Sequence, residues 1–166
     1  MSEKQKISVL MSVYIKENPT FLKDAIESVQ NQTLKPSELV LVEDGPLTPE
    51  LYQVLDQLEA ESDIPVKRYP LEQNQGLGLA LRQGVLQCQY DIIARMDTDD
   101  IAVPDRFEKQ VQLMEKDKLD LLGGHIAEFI DNPDEIVSYR RVPTQHVDIV
   151  AYQRMRSAFN HMTVMF

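Results

Sequence analysis

Apolar residues along the chain gather in two alternating patterns, short unbroken runs and longer stretches in which they recur every three or four positions. Ile7-Ser8-Val9-Leu10-Met11-Ser12-Val13-Tyr14 is a run of the first kind, rich in β-branched residues, and predicts a strand buried on both faces. Asn18-Pro19 then starts a helix, because Asn caps free amides and Pro at the first helical position gives up no needed donor. Phe21, Leu22, Ala25, Ile26 and Val29 follow at helical spacing. The alternation returns with a strand over 38–42, closed by Glu43-Asp44-Gly45-Pro46, and a helix from Thr48-Pro49-Glu50 to residue 60. A weaker strand over 64–69 belongs near an edge, since Pro65 cannot donate to a ladder. A helix over 75–87 carries Gly76, Gly78 and Gly84, which point to close backbone packing. A fourth strand over 90–96 and a helix opened by Val103-Pro104-Asp105 and ending near residue 116 complete the pattern.

The last third is less regular. Residues 119–130 read as a strand broken by Gly123-Gly124, residues 135–142 as another, and residues 144–157 as a helix. The chain closes on Met162-Thr163-Val164-Met165-Phe166, an apolar run that needs a neighbour, which predicts that the natural protein continues past Phe166. Strands alternating with helices of these lengths indicate an α/β fold with a mostly parallel sheet flanked by helices.

A length of 166 residues and 43% hydrophobic content fit one domain, 1–166. The balance of 17 basic against 27 acidic residues leaves a formal charge of −10, which argues against a non-specific grip on nucleic acid or an anionic membrane. A phosphate-bearing substrate stays open if a metal supplies positive charge locally. The single cysteine, Cys88, excludes an internal disulfide and a cysteine-based zinc site and reads as an indifferent thiol. The start, Met1-Ser2-Glu3-Lys4-Gln5-Lys6, is polar and is not followed by a long apolar h-region, and no run approaches the roughly 18 apolar residues of a membrane span. A cytoplasmic protein without a signal peptide is the expectation.

In an open parallel sheet, ligands bind at the carboxyl ends of the strands, near the point where strand order reverses. Tyr14 ends the first strand, Glu43 and Asp44 end the second, and Asp97, Asp99 and Asp100 end the fourth. Each group also has an ordinary reading: Tyr14 as a ring packed under a loop, Asp44-Gly45-Pro46 as a turn, and the acidic cluster as a lead-in to the positive end of the next helix. Their coincidence on one rim favours a site. Three carboxylates within four residues repel one another unless a cation joins them, and oxygen ligands suit Mg2+ or Mn2+. An aromatic face, a carboxylate for a base N–H and a metal for a diphosphate together fit transfer from a nucleotide diphosphate. Neither a P-loop nor a dinucleotide-binding glycine pattern is present.

The ordered set Ser8-Val9-Leu10-Met11-Ser12-Val13-Tyr14, Leu41-Val42-Glu43-Asp44-Gly45, Asn74-Gln75-Gly76 with Ala80 and Gly84, Asp97-Thr98-Asp99-Asp100 with Pro104-Asp105-Arg106, and Asn160-His161-Met162 resembles the family 2 glycosyltransferases. These include bacterial exopolysaccharide and capsule sugar transferases. The resemblance implies a Rossmann-like nucleotide-diphospho-sugar transferase (GT-A) sheet, with a donor-binding half over about 1–104 and the start of an acceptor-side half over about 105–166. It implies that Tyr14 and Asp44 hold the base, that Asp97 contacts the ribose or metal, and that Asp99 is the principal metal ligand. The implied reaction is an inverting, metal-dependent transfer from a UDP-, GDP- or dTDP-sugar to a saccharide or lipid-linked saccharide, with Mn2+ or Mg2+ and with peripheral contact to the inner membrane face through the acceptor. No residue is named as general base, which the family places beyond the stretch resembling 161–166.

Several positions depart from the family pattern. Pro46 stiffens the turn after Asp44, Ile15 follows Tyr14 where Asn is common, and Arg82 replaces a common Asn, facing either a phosphate or solvent. His161 reads as a packed histidine near a strand start. Three other readings compete. An Asp-x-Asp phosphatase would close its first strand with the motif, and a nucleotidyltransferase would carry a basic glycine-rich loop where Glu17-Asn18-Pro19 stands. A nucleotide-sugar binding module without transfer activity is the non-enzyme alternative.

Overall fold

The computed structural model describes residues 5–166; the polar positions 1–4 of the start lie outside the described residues. The order is β1 (Ile7–Val13), α1 (Pro19–Gln30), β2 (Glu38–Glu43), α2 (Pro49–Glu61), β3 (Val66–Pro70), α3 (Leu77–Val85), β4 (Ile92–Arg95) and α4 (Arg106–Asp117). The four strands form one parallel sheet in the order β3-β2-β1-β4, with β3 at an edge as Pro65 predicts. Strand order therefore reverses between β1 and β4, which makes the cleft above these two strands the switch point of the fold.

Side chains alternate across the sheet and build a core on each face. Ile7, Val9, Met11, Val13, Leu39 and Leu41 pack with Leu22, Ile26, Leu51, Leu55 and Phe107 from α1, α2 and α4. Leu10, Val40, Val42 and Ile93 meet Ala80 of α3 on the other face. A β-carbon on Gly84 would lie 2.4 Å from Leu10 Cδ1 and 2.8 Å from Val42 Cγ2, so this glycine lets α3 lie flush on the sheet. Asn18 caps α1 by accepting from Thr20 N at 2.8 Å, and Thr48 caps α2 by accepting from Leu51 N at 3.3 Å.

At the amino ends of the strands, buried Glu38 accepts from Ser8 Oγ at 2.6 Å and from Gln89 N at 2.6 Å, while Ser8 Oγ accepts from Tyr90 N at 3.2 Å. Cys88 sits half-buried nearby, and burial together with the Glu38 charge pushes its thiol up to about 11, so it stays protonated and unreactive.

The last third departs from its predicted elements. The strand expected over 119–130 is interrupted: Leu122 makes a single antiparallel bridge to Met165, and only Ile126–Glu128 (β5) is extended further on. It pairs with Ser138–Arg140 (β6) in a separate two-stranded sheet. The cause is side-chain capture of the backbone between them, since Gly124 N donates to Thr163 Oγ1 at 2.8 Å and Gly124 O accepts from Asn160 Nδ2 at 2.9 Å. The helix over 144–157 shortens to His146–Gln153 (α5). The terminal apolar run does find neighbours. Residues 164–166 run antiparallel beside β4, with Ile93 N donating to Phe166 O and Arg95 N to Val164 O, both at 2.8 Å, and Met165 also bonds Leu122.

Candidate functional site

Three groups foreseen on the rim stand at strand ends there, although they serve different ends. Tyr14 follows β1 with 43% of its surface exposed, so its ring is not packed under a loop. Three residues on, Glu17 accepts from Asn18 N at 3.0 Å and from the buried Thr98 hydroxyl at 2.5 Å, fastening the loop after β1 to the middle of the acidic motif after β4. Sequence reasoning did not foresee this link, which only the adjacency of β1 and β4 creates.

Asp44 is buried at the end of β2 and accepts from Gln75 N at 2.7 Å through one oxygen and from Gly76 N at 3.0 Å through the other. Its backbone carbonyl accepts from Asn74 Nδ2 at 3.1 Å. The carboxylate thus sits at the amino end of α3, where free amides and the helix dipole stabilise negative charge, and each oxygen keeps a further lone pair. The Asn74-Gln75-Gly76 motif acquires a physical meaning as the loop that Asp44 holds. Gly45 adopts φ +85°, and a β-carbon there would stand 2.5 Å from Asn74 N, so the turn admits no side chain without moving that loop. Glu43, by contrast, is spent on Arg68, whose Nε donates to it at 2.5 Å while Nη1 reaches Asp56 at 2.6 Å. Arg82 is exposed in the last turn of α3, about 9 Å along the axis from Gly76, and has no ion pair among the described residues.

The acidic motif forms the centre of the rim. Asp97, Asp99 and Asp100 each present an oxygen within 4.8 Å of the others; Asp99 is exposed and its two neighbours are half-buried. Burial, with the charges of Asp97 and Asp99, pushes the Asp100 carboxyl up to about 6, against the pull of Arg95 and Arg106. Those two arginines are the cations that sequence reasoning reserved for a metal. Arg95 is 4% exposed and forms an ion pair with Asp97. Arg106 donates to Arg95 O at 2.7 Å and to Gln110 Oε1 at 2.9 Å; its burial and the Arg95 charge push its guanidinium down to about 10, with Asp100 opposing.

His161 is not packed. Its side chain is 63% exposed on the 3₁₀ turn His161–Thr163, with Nδ1 3.6 Å from Asp97 Oδ2. Buried Asn160 and Thr163 hold that turn, Thr163 Oγ1 donating to Asn160 O at 2.7 Å. The structure therefore brings Asp97, Asp99, Asp100, Arg95 and His161 together, places Tyr14 and Asp44 on the neighbouring strand ends, and leaves Arg82 apart. Three oxygen donors in reach of one another suit a hard divalent cation such as Mg2+ or Mn2+, with Asp99 the most accessible.

Known proteins resemble the chain in sequence and fold. The sequence model described as "Glycosyl transferase family 2" matches residues 8–165. An uncharacterized glycosyltransferase of Haemophilus influenzae is 51% identical over 97% of this chain and 60% of its own length. The amylovoran biosynthesis glycosyltransferase AmsE of Erwinia amylovora is 42% identical over 96% of this chain and 59% of its own. The Escherichia coli UDP-Gal:alpha-D-GlcNAc-diphosphoundecaprenol beta-1,3-galactosyltransferase is 39% identical over 97% of this chain and 58% of its own. The chain thus spans about three-fifths of the length of these relatives. Among solved structures, the mannosyltransferase PcManGT of Pyrobaculum calidifontis, in complex with GDP-Man and Mn2+, superposes with a TM-score of 0.69 at 13% identity, over 99% of this chain and 45% of that one. Staphylococcus aureus TarS 1-349 in complex with UDP-GlcNAc superposes with a TM-score of 0.62 at 21% identity, over 72% and 34%. The sheet and its helices are those of the GT-A glycosyltransferases.

Proposed function

The chain belongs to glycosyl transferase family 2, and from that premise we propose that it carries the donor site of a metal-dependent, inverting glycosyltransferase of bacterial surface-polysaccharide synthesis. The observation that carries this reading is the convergence of Asp97, Asp99 and Asp100 within 4.8 Å at the switch point of the sheet, beside Tyr14 and Asp44. The exposed Tyr14 ring stacks on the base of a UDP-, GDP- or dTDP-sugar, and Asp44 accepts from a base N–H while holding the loop before α3. Asp97 faces the ribose and, with Asp99 as principal ligand, holds Mn2+ or Mg2+. The bound ion supplies neutralisation of the charge that builds on the departing diphosphate. An acceptor hydroxyl, on a saccharide or lipid-linked saccharide, attacks the anomeric carbon from the face opposite the diphosphate as the bond to the diphosphate breaks, which inverts that centre, and its proton passes to a carboxylate base that the family places beyond the stretch resembling 161–166.

The diphosphoundecaprenol substrate in the name of the E. coli relative supports a lipid-linked acceptor, which brings the protein to the inner membrane face although no helix of the described residues is long and apolar enough to cross a membrane. The test is thermal. A nucleoside diphosphate with Mn2+, at about a hundred times its dissociation constant, stabilises by about 2.7 kcal/mol, or roughly 5–10 °C in Tm. Asp99→Ala is expected to remove that rise. Unchanged melting of the wild type would sink the donor site, and binding without transfer across a panel of nucleotide sugars would reduce the chain to a binding module.

A further inference from the structure

Beneath the three carboxylates lie two guanidiniums, and they are held differently. Arg106 is tied into the architecture: it donates to Arg95 O and Gln110 Oε1, and Gln110 in turn donates to Thr163 O at 2.8 Å. Arg95, the last residue of β4, is 4% exposed, yet its Nε and Nη1 find no hydrogen-bond acceptor, and only Nη2 stands against a carboxylate oxygen, that of Asp97. Its charge is met by proximity to Asp97 Oδ1, while the other oxygen of Asp97 faces His161 at 3.6 Å. A buried guanidinium whose donors stay unspent is costly, and replacement by an apolar side chain often stabilises a fold. Packing therefore gives no reason for an arginine at this position. Electrostatics does. Three carboxylates facing two guanidiniums enclose a single net negative charge, so a free divalent cation finds a weaker field than the acidic motif alone would offer.

We propose that Arg95 is a positioning residue that occupies Asp97 in the nucleotide-free protein and holds down the affinity for a free divalent cation, so that the metal enters together with the diphosphate. The inference rests on the reading of Asp97 and Asp99 as the metal site. A nucleoside diphosphate adds its own negative charge beside the cluster and tips the balance that Arg95 sets, which makes metal and nucleotide binding mutually reinforcing.

The test is titration of Mn2+, followed by the electron paramagnetic resonance signal of the free ion, with and without UDP or GDP, the Mn2+ that the nucleotide chelates on its own being subtracted from a protein-free titration. The wild type is expected to bind Mn2+ alone more weakly than about 0.1 mM, the range of sites poor in net ligand charge, and at least about tenfold more tightly with one of the nucleotides. Arg95→Met removes the charge and is expected to tighten nucleotide-free binding by about tenfold or more, the effect of one unit charge a few ångströms away. Arg95→Lys keeps the charge and is expected to stay within about threefold of the wild type. Loss of packing alone weakens binding and does not tighten it, so the direction separates the two roles. An Arg95→Met protein that melts cooperatively and binds free Mn2+ no more tightly than the wild type overturns the inference. If neither variant folds, equal Mn2+ affinity of the wild type with and without nucleotide overturns the proposal. Absence of Mn2+ binding under every condition overturns the metal site itself, and the inference with it.

Discussion

Glu38 and Asp97 stand at opposite ends of the same parallel sheet, one at the start of β2 and the other just past β4, and each carboxylate is drawn out of water. Glu38 is met by the Ser8 hydroxyl and the Gln89 amide, both at 2.6 Å, and the Ser8 oxygen is itself satisfied by Tyr90 N. Asp97 is met by a guanidinium with unspent donors on one side and an exposed imidazole on the other, with two further carboxylates within 4.8 Å. The two rims use the same residue chemistry to different ends. Where every polar partner is present the charge belongs to the architecture, and where partners are missing the charge is open to a ligand.

Substitutions at both rims sharpen this contrast. The largest effect on folding is expected from Glu38→Ala, which strands the Ser8 hydroxyl and the Gln89 amide and costs about 3 kcal/mol, seen as a lower urea midpoint. Nucleotide affinity of the folded fraction should stay unchanged; a loss there would mean that the amino-end network shapes the site. Gly45→Ala is expected to cost about 2 kcal/mol and to weaken nucleotide binding about tenfold, since its β-carbon must displace the loop that Asp44 holds. Calorimetric titration checks the second effect, and an unaltered affinity would detach that loop from the donor site.

The smallest effect concerns pH. The Asp100 carboxyl is raised from its ordinary 3.8 to about 6, so the folded protein favours the neutral form. The stability this group contributes is complete below about pH 4 and is lost as pH rises through about 6. Asp100→Asn, neutral at every pH, should leave melting unchanged at pH 4 and raise it by about 3–5 °C at pH 7.5, solvent screening of this half-buried group reducing the full linkage effect. A difference between the two proteins that does not grow over that interval would refute the assignment of burial and like charge as its cause.

The sheet was legible because β1 and β2 are buried on both faces and so read as unbroken apolar runs, and because Asn18 and Thr48 cap helices through local hydrogen bonds. The rim was legible because strand ends follow from strand positions. Arg95 was not, since a basic residue closing a strand looks like an ordinary exit into solvent, and only the return of residues 164–166 alongside β4 encloses it. The same return explains why His161 was misjudged: it rides on a turn held by Asn160 and Thr163 rather than inside a strand. The strand predicted over 119–130 lost its length where side chains of Asn160 and Thr163 took Gly124's backbone groups from any ladder, a competition that periodicity does not register.

Strand order also fixes a length. Asp44 follows β2 and Asp97 follows β4, with β1 between them, so their backbones stand two strand spacings apart, about 10 Å. The sheet is in that sense a ruler with Tyr14 near its middle mark. In the donor site proposed above, a nucleoside carrying phosphates would bridge the two ends, whereas a free sugar would reach only one. If the proposed donor site holds, selection of a nucleotide-borne sugar over the bare sugar follows from the spacing of the strands, before any contact to the sugar ring is made.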